Sequence, residues 1–320
     1  MKEEFLRAIN LTKKVFEDGR LYNYNSDDFI VIVDGNIKIS VEIGINRFKI
    51  YFGENSNFEH FNYQLLSKKY KRLDDMEILR KKFFSRFTYI EITNNYSISL
   101  SEESTRNYQK LNIDVNKYER YPEFILSKSG EFAKVLTCDD FEYEFCRYIE
   151  LVTKFLDKKE ELNDRKEFDI IYYNVRLDYF AVKEISVLDF FPYAEYQDVH
   201  INSDKKVISG NMFIEMRYID YKNDIRYPLI IAAYDDKKKE LKSPKIIMDN
   251  KKNEVIAYLD ELFQKNIYSS ITVYDYELYM IIRNYLKGYE VEIEFSSQIS
   301  QFDYIFDDYE YIINKNGLKY

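Results

Sequence analysis

Hydrophobic and polar residues follow one another in the first third of the chain in patterns that predict a helix and then a sheet. Apolar side chains recur at helical spacing between residues 3 and 17, which predicts an amphipathic opening helix. Residues 29–52 alternate around two turn signals, at 34–36 and 44–46, so we expect three antiparallel strands. Two further helical patterns and the strand pattern of residues 87–93 complete a predicted α+β domain of residues 1–110.

The middle of the chain, residues 111–165, is predicted to form a loop and a helix. Tyr121 and Pro122 open the loop, which runs through Gly130. A helix-cap pattern at residues 137–140 then precedes a run whose apolar residues share one helical face. The charged stretch of residues 157–167 follows, and we interpret it as the boundary of the next domain.

The remaining part, residues 166–320, has the element order βββαβαβα. Three strand patterns come first, and helical and strand patterns alternate after them. This order requires crossover connections, which indicate a mixed sheet with a parallel portion covered by helices. The predicted fold class is therefore α+β, with an N-terminal antiparallel sheet with helices, a central helical segment and a C-terminal mixed sheet domain.

Composition and charge restrict the function. The chain has 320 residues, of which 46% are hydrophobic and 32% charged, as is typical of globular proteins. Its formal net charge of -9 disfavours nonspecific binding of nucleic acid or anionic lipid, although aromatic and basic residues interleave at 67–72 and 79–86. No apolar run reaches the ~18 residues of a membrane helix. The acidic opening MKEEFLRAIN does not fit a signal peptide, so we expect a cytoplasmic location and no membrane partner.

The layout of the chain resembles a family of uncharacterised bacterial proteins, common in Firmicutes, that are built from paired domains of unknown function. The similarity covers nearly the whole chain. It lies in the opening helix, in LYNYNSDDFIVIVDGNIKISVEIG leading into FKIYFG, in the central YPEF, and in SPKIIMDNKKNEVIAYLDELFQ followed by ITVYDYELYMIIRNYL. The resemblance implies no catalytic residues.

The ends of the predicted parallel strands are the first places to expect a binding site. In sheets of this kind, ligands bind outside the carboxyl ends of the strands, where helix amino termini also point. Here the strand ends lie at Asp249, Asp275 and Ser296, which are the candidate binding residues.

The element order of the C-terminal half also resembles the ribonuclease H-like fold of nucleases and transposases. In that fold, carboxylates on the first strand, first helix, fourth strand and last helix hold two divalent metal ions. The resemblance implies these candidate catalytic residues: Glu215, Glu254 or Asp260, Asp275, and Asp303 or Asp307. Mg²⁺ or Mn²⁺ bound there could activate water for cleavage of a phosphodiester.

Ordinary structural roles explain the same residues. Asp249 and Asp275 stand just before predicted helices, where an Asp side chain caps free backbone N–H groups. The only two histidines, His60 and His200, lie in no catalytic signature, so we predict hydrogen-bonded, partly buried rings. The chain also contains no glycine-rich phosphate-binding motif.

We therefore predict a noncatalytic binding module whose partner is a protein, with nucleic acid less favoured. No cofactor and no bound metal are expected. The alternative is a metal-dependent nuclease of ribonuclease H-like architecture, intact or degenerate, which would need Mg²⁺ or Mn²⁺. The sequence leaves open whether the protein is an enzyme.

Overall fold

The computed structural model describes residues 2–25, 28–69, 87–128, 131–158, 169–183, 205–218, 229–247, 251–296 and 303–316. The chain divides into two compact units. The amino-terminal unit consists of Met1–Gln64 and Phe83–Phe191, and the carboxyl-terminal unit of Leu65–Lys82 and Pro192–Tyr320.

An eight-stranded sheet forms the frame of the amino-terminal unit, with the strand order β6-β5-β4-β3-β2-β1-β7-β8. Its strands are β1 (Phe29–Asp34), β2 (Ile37–Gly44), β3 (Arg47–Phe52), β4 (Tyr89–Tyr96), β5 (Arg120–Ser127), β6 (Lys134–Val135), β7 (Ile170–Asn174) and β8 (Tyr179–Lys183). The helices that begin in this unit are α1 (Lys2–Glu17), α2 (Glu54–Lys69), α3 (Glu102–Lys110) and α4 (Tyr143–Leu156), with short 3-10 helices at Arg20–Asn23 and Ser97–Ser99. Neighbouring strands are antiparallel except β1 and β7, which are parallel.

The core of this unit lies between one face of the sheet and the helices α1 and α4. Ile30 of β1 and Ile149 of α4 are completely buried in it. The ring of Phe5, on α1, packs edge-on against Phe124 and Phe141 at centroid distances of 5.3 and 5.1 Å. Burying one such large apolar side chain contributes about 1.5–3 kcal/mol, so this face holds the unit together.

The carboxyl-terminal unit contains a six-stranded mixed sheet in which β11, β10, β9, β13 and β14 are neighbours in that order and β12 pairs with β10. Its elements are β9 (Lys206–Tyr218), β10 (Leu229–Asp235), β11 (Glu240–Leu241), β12 (Lys245–Ile247), α5 (Lys251–Leu262), β13 (Asn266–Val273), α6 (Tyr276–Tyr285), β14 (Glu292–Phe295) and α7 (Asp303–Asn316). Strands β9 and β10 are antiparallel, whereas β13 is parallel to both β9 and β14. The predicted α+β class and βββαβαβα order are confirmed, and the two-residue strand β11 is an addition to them.

The predicted domain boundary at residue 166 differs from the division in the structure. Strands β7 and β8 follow that boundary but belong to the amino-terminal sheet. The physical reason is burial: Ile171 of β7 packs in the same core as Ile30 of β1, so the parallel pairing covers apolar surface on both strands. The charged stretch 157–167 therefore falls between two elements of one unit.

The loop predicted to open at Tyr121 is wrong, since Tyr121 and Pro122 lie within strand β5. Proline is tolerated in a strand where no ladder hydrogen bond needs its N–H. The hydroxyl of Tyr108 donates to the carbonyl of Pro122 at 2.5 Å, so the one polar backbone group of this proline has a partner outside the sheet. The central segment 111–165 thus adds β5, β6 and α4 to the amino-terminal unit.

Candidate functional site

Asp275, proposed from the sequence both as a metal ligand and as a helix cap, is a cap in the structure. It is buried immediately before α6, and its Oδ1 accepts a hydrogen bond from the backbone N–H of Leu278 at 2.9 Å. This bond satisfies one of the free N–H groups in the first turn of the helix. The capping interpretation is confirmed for this residue.

Glu215 lies on β9 and is completely buried. Its Oε1 is 3.4 Å from Nη2 of Arg217, and the guanidinium of Arg217 lies 4.8 Å from the ring centre of Phe306 on α7. Burial, together with the negative charge of Glu215, raises the pKa of Tyr274 to about 12. Glu215 is therefore held with a cationic partner in a closed environment.

The candidate carboxylates of α5 differ in their surroundings. The carboxylate of Asp260 accepts a hydrogen bond from the hydroxyl of Tyr285 at 2.6 Å, whereas Glu254 is half-buried in the first turn. Within the described ranges, no three Asp, Glu, His or Cys side chains come close enough together to hold a metal ion.

The remaining described candidates lie at the end of β14 and on α7. The backbone N–H of Ser296 donates to the carbonyl of Val273 at 2.8 Å and so extends the pairing of β13 with β14. Asp307 is half-buried on α7, and Asp303 begins that helix with a side chain outside the described part. Asp249 lies outside the described residues, as do residues 70–86, which contain most of the two basic stretches.

His60 is the centre of a buried polar network between α2 and the sheet. Ser40 donates its single hydroxyl proton to Oδ1 of Asn57 at 2.9 Å, so the contact of 2.9 Å between Ser40 Oγ and His60 Nδ1 requires Nδ1–H to be the donor. The other ring nitrogen, Nε2, then accepts from the amide of Gln64 at 3.5 Å. The predicted hydrogen bonding is confirmed for His60, but the ring is completely and not partly buried; His200 lies outside the described residues.

The surroundings of His60 favour the neutral ring. The ring stacks on Tyr51 at a centroid distance of 3.7 Å and packs against Phe29 at 5.1 Å. Burial, and after it the positive charge of Lys49, holds the pKa of His60 well below its ordinary value. Because both Ser40 and His60 are completely buried, this pair is a structural contact and not a nucleophile open to a substrate.

Charged side chains form a network around Asp34, a residue that the sequence pattern indicated only as part of a turn. Asp34 is buried at the end of β1 and forms ion pairs with Arg147 on α4 and with Arg176, the latter at 3.1 Å. Arg147 and Arg7 both bind Glu150 as well. Burial acts to raise the pKa of Asp34, but the two arginines outweigh it and lower the pKa. These partners stand 113 and 142 residues away in sequence, where no local pattern could indicate them.

Four large apolar side chains are exposed at one end of the amino-terminal sheet. They are Ile45 (64% exposed), Tyr96 (49%), Ile98 (72%) and Tyr118 (82%), and we call them the sheet-end patch. Ile45 lies in the turn between β2 and β3, Tyr96 ends β4, Ile98 lies in the following 3-10 helix, and Tyr118 precedes β5. Apolar side chains gathered on one part of a surface are typical of interaction sites.

Backbone hydrogen bonds hold the segments of the sheet-end patch side by side. The N–H of Asn94 donates to the carbonyl of Asn46 at 2.9 Å, which fixes the β2–β3 turn against β4. The N–H of Ser97 donates to the carbonyl of Glu119 at 3.1 Å, which brings the residues next to Ile98 and Tyr118 together. The backbone segments that carry the patch residues are therefore held next to one another by hydrogen bonds.

The buried carboxylate of Glu123 binds the segments on both sides of Ile98. Glu123 accepts hydrogen bonds from the N–H of Ser101 at 3.0 Å and from the hydroxyls of Ser101 and Ser104, both at 2.6 Å. Its second oxygen accepts from the amide of Asn95 at 3.3 Å. The segment that contains Ile98 is thus fixed on both sides to β5.

Comparison of the chain with protein-family models, with curated proteins and with solved structures gave no match. None of the described helices has the length and apolar character needed to cross a bilayer.

Proposed function

We propose that this protein is a noncatalytic binding protein and that the sheet-end patch is where it contacts a protein partner. The observation that carries the proposal is the exposure of Ile98 and Tyr118, at 72% and 82%, on a backbone fixed by hydrogen bonds. Covering an exposed isoleucine or tyrosine in a complex contributes about 1–2 kcal/mol through the apolar area removed from water.

The chemistry of the patch supports a protein as the partner. Tyrosine and arginine are enriched in protein interfaces and among the residues that contribute most to binding. The patch contains Tyr96 and Tyr118, and the guanidinium of Arg120 lies 4.3 Å from the ring centre of Tyr96. The net charge of -9 also disfavours a polyanionic partner.

The nuclease alternative has weaker support. Two of its candidates already have other roles, since Asp275, which follows β13, caps α6, and Glu215, on the neighbouring strand β9, is paired with Arg217. A cytoplasmic location and the relationship to paired-domain bacterial proteins are part of our proposal and rest on the sequence patterns.

The proposal is tested by placing a photoreactive amino acid at residue 98, 118 or 143 of the full chain, expressed in the organism that makes the protein. Tyr143 provides the matched control, because it is 61% exposed in the same unit but lies outside the sheet-end patch. We expect positions 98 and 118 to cross-link the same protein and position 143 not to do so. The purified partner should then bind the Ile98→Asp variant at least about tenfold more weakly than wild type.

Two results would overturn the proposal. One is equal cross-linking from all three positions, which would show that contact with the patch is not specific. The other is cleavage of DNA or RNA by the purified protein in millimolar Mn²⁺, lost in Asp275→Asn, which would favour the nuclease.

A further inference from the structure

Arg120 lies against Tyr96 of the sheet-end patch and is held in a fixed orientation. It begins β5 opposite Tyr96, and its guanidinium lies 4.3 Å from the centre of that ring. Its Nη1 donates to Oδ1 of Asn46, in the β2–β3 turn, at 2.9 Å. An arginine that is stacked and tethered in this way loses little conformational entropy when it binds a ligand.

The acidic residues near Arg120 are engaged elsewhere. Glu119 accepts hydrogen bonds from the hydroxyl of Tyr121 at 2.9 Å and from the amide of Asn116 at 3.3 Å. Glu123, three residues further along β5, accepts hydrogen bonds from Ser101, Ser104 and Asn95. Among the residues that the structure describes, no carboxylate lies within ion-pair distance of Arg120. Four of its five N–H donors thus remain without a bond to the described part of the chain.

Arg120 thus provides a local positive charge on a chain whose formal net charge is -9. Its guanidinium presents parallel N–H donors, which match the two oxygens of a carboxylate. Lys117 is exposed and directly precedes Tyr118, so it adds a second positive charge close to Arg120 in sequence. A carboxylate that approaches this surface is therefore attracted to Arg120, next to Tyr96 of the sheet-end patch.

We propose that the sheet-end patch binds an acidic peptide segment, in which the carboxylate of an Asp or Glu pairs with Arg120 and a neighbouring apolar side chain contacts Ile98 and Tyr118. This inference rests on the proposed function and specifies the partner's chemistry. A carboxylate is favoured over phosphate groups because Arg120 and Lys117, the basic residues next to Tyr96 and Tyr118, do not form an arginine cluster of the kind that recognises phosphate.

The experiment selects binders from a random dodecapeptide phage library on the immobilised full-length protein. The library is first depleted on the Ile98→Asp/Tyr118→Ala double variant, whose folding is verified by thermal melting. Selected peptides are synthesised, and their Kd values are measured for wild type, Arg120→Gln, and the control Tyr143→Ala.

We expect the selected peptides to share an Asp or Glu next to an aliphatic or aromatic residue. Changing that acid to its amide should weaken binding to wild type about tenfold to a hundredfold, as for a charge-assisted hydrogen bond. The same change should have little effect on binding to Arg120→Gln, and Tyr143→Ala should bind every peptide like wild type.

The outcomes separate the two proposals. Peptides that need the patch but contain no acid, or that bind Arg120→Gln as tightly as wild type, would overturn the acidic-peptide inference and leave the proposed function intact. Failure to select any peptide that distinguishes wild type from the double variant would count against both. Displacement of the selected peptides by a single-stranded oligonucleotide at equal concentration would replace the acidic peptide with nucleic acid as the ligand.

Discussion

Acidification should destabilise the amino-terminal unit, because His60 is buried there as a neutral ring. In the unfolded chain this histidine takes up a proton near its ordinary pKa of 6.5, whereas in the fold its pKa is lowered by burial and by the charge of Lys49. Below pH 6.5 the unfolded state therefore binds more protons than the folded state, so the free energy of unfolding falls as the pH falls.

The size of the effect follows from the same linkage. Stability from the neutral ring is fully present above pH 6.5 and is lost progressively below it, down to the folded-state pKa. While the folded ring stays neutral, the free energy of unfolding falls by about 1.4 kcal/mol for each pH unit below 6.5, which amounts to about 2 kcal/mol by pH 5. That is a measurable part of the about 5–15 kcal/mol that stabilises typical folded proteins.

The test compares wild type with His60→Phe in urea unfolding at several pH values. Phenylalanine retains a ring against Tyr51 and Phe29 but removes the hydrogen bonds to Ser40 and Gln64, each of which contributes about 1 kcal/mol. The variant should therefore be less stable than wild type at pH 8. The difference between their free energies of unfolding should shrink by about 2 kcal/mol by pH 5. Groups that titrate in both proteins cancel in this difference.

The chain offers a control, since His200 is its only other histidine. His200→Gln should retain the steep pH dependence that His60→Phe loses. NMR of the two imidazole rings gives an independent measure, and His60 should not titrate between pH 8 and pH 5. Titration of His60 near pH 6.5, or parallel stability profiles of wild type and His60→Phe, would refute the reasoning.

Two further predictions concern Asp275 and the domain boundary. Asp275→Asn should retain the cap of α6 and cost little, whereas Asp275→Ala should lower the free energy of unfolding in urea by about 1 kcal/mol; equal losses would contradict capping. A fragment of residues 1–191 should melt cooperatively when followed by circular dichroism, whereas residues 1–165 should be far less stable, because removal of β7 and β8 exposes the edge of β1. Equal melting temperatures of the two fragments would show that β7 is not needed for the core.

Patterns of neighbouring residues in the sequence predicted most of the helices and strands. The turn signals at 34–36 and 44–46 correspond to the hairpins that join β1, β2 and β3. The C-terminal order was also recovered, because each strand and helix has its own period of apolar residues. Capping at Asp275 belongs to the same class, since a cap and its N–H partner lie only a few residues apart.

Long-range pairing could not be predicted in this way. The parallel contact of β7 with β1 joins distant parts of the chain, and nothing in the local sequence of residues 170–174 specifies that partner. The same applies to the two arginines that bind Asp34. One residue of the sheet-end patch could have been noticed in the sequence. It is the isoleucine of the turn Gly44-Ile45-Asn46, because a large apolar side chain at an exposed turn has no role in a buried core.

The hydrogen bonds of Glu123 affect the entropy that the sheet-end patch loses when it binds a partner. Ile98 lies in a short connecting segment, and such segments usually lose conformational entropy when a partner orders them. Here Glu123 already fixes the residues on both sides, through Asn95 before Ile98 and through Ser101 after it. The segment therefore loses its conformational entropy when the protein folds, so burial of the apolar area of Ile98 stabilises a complex with little further loss of entropy. Exposure and rigidity together, rather than exposure alone, distinguish this patch from a loosely held surface residue.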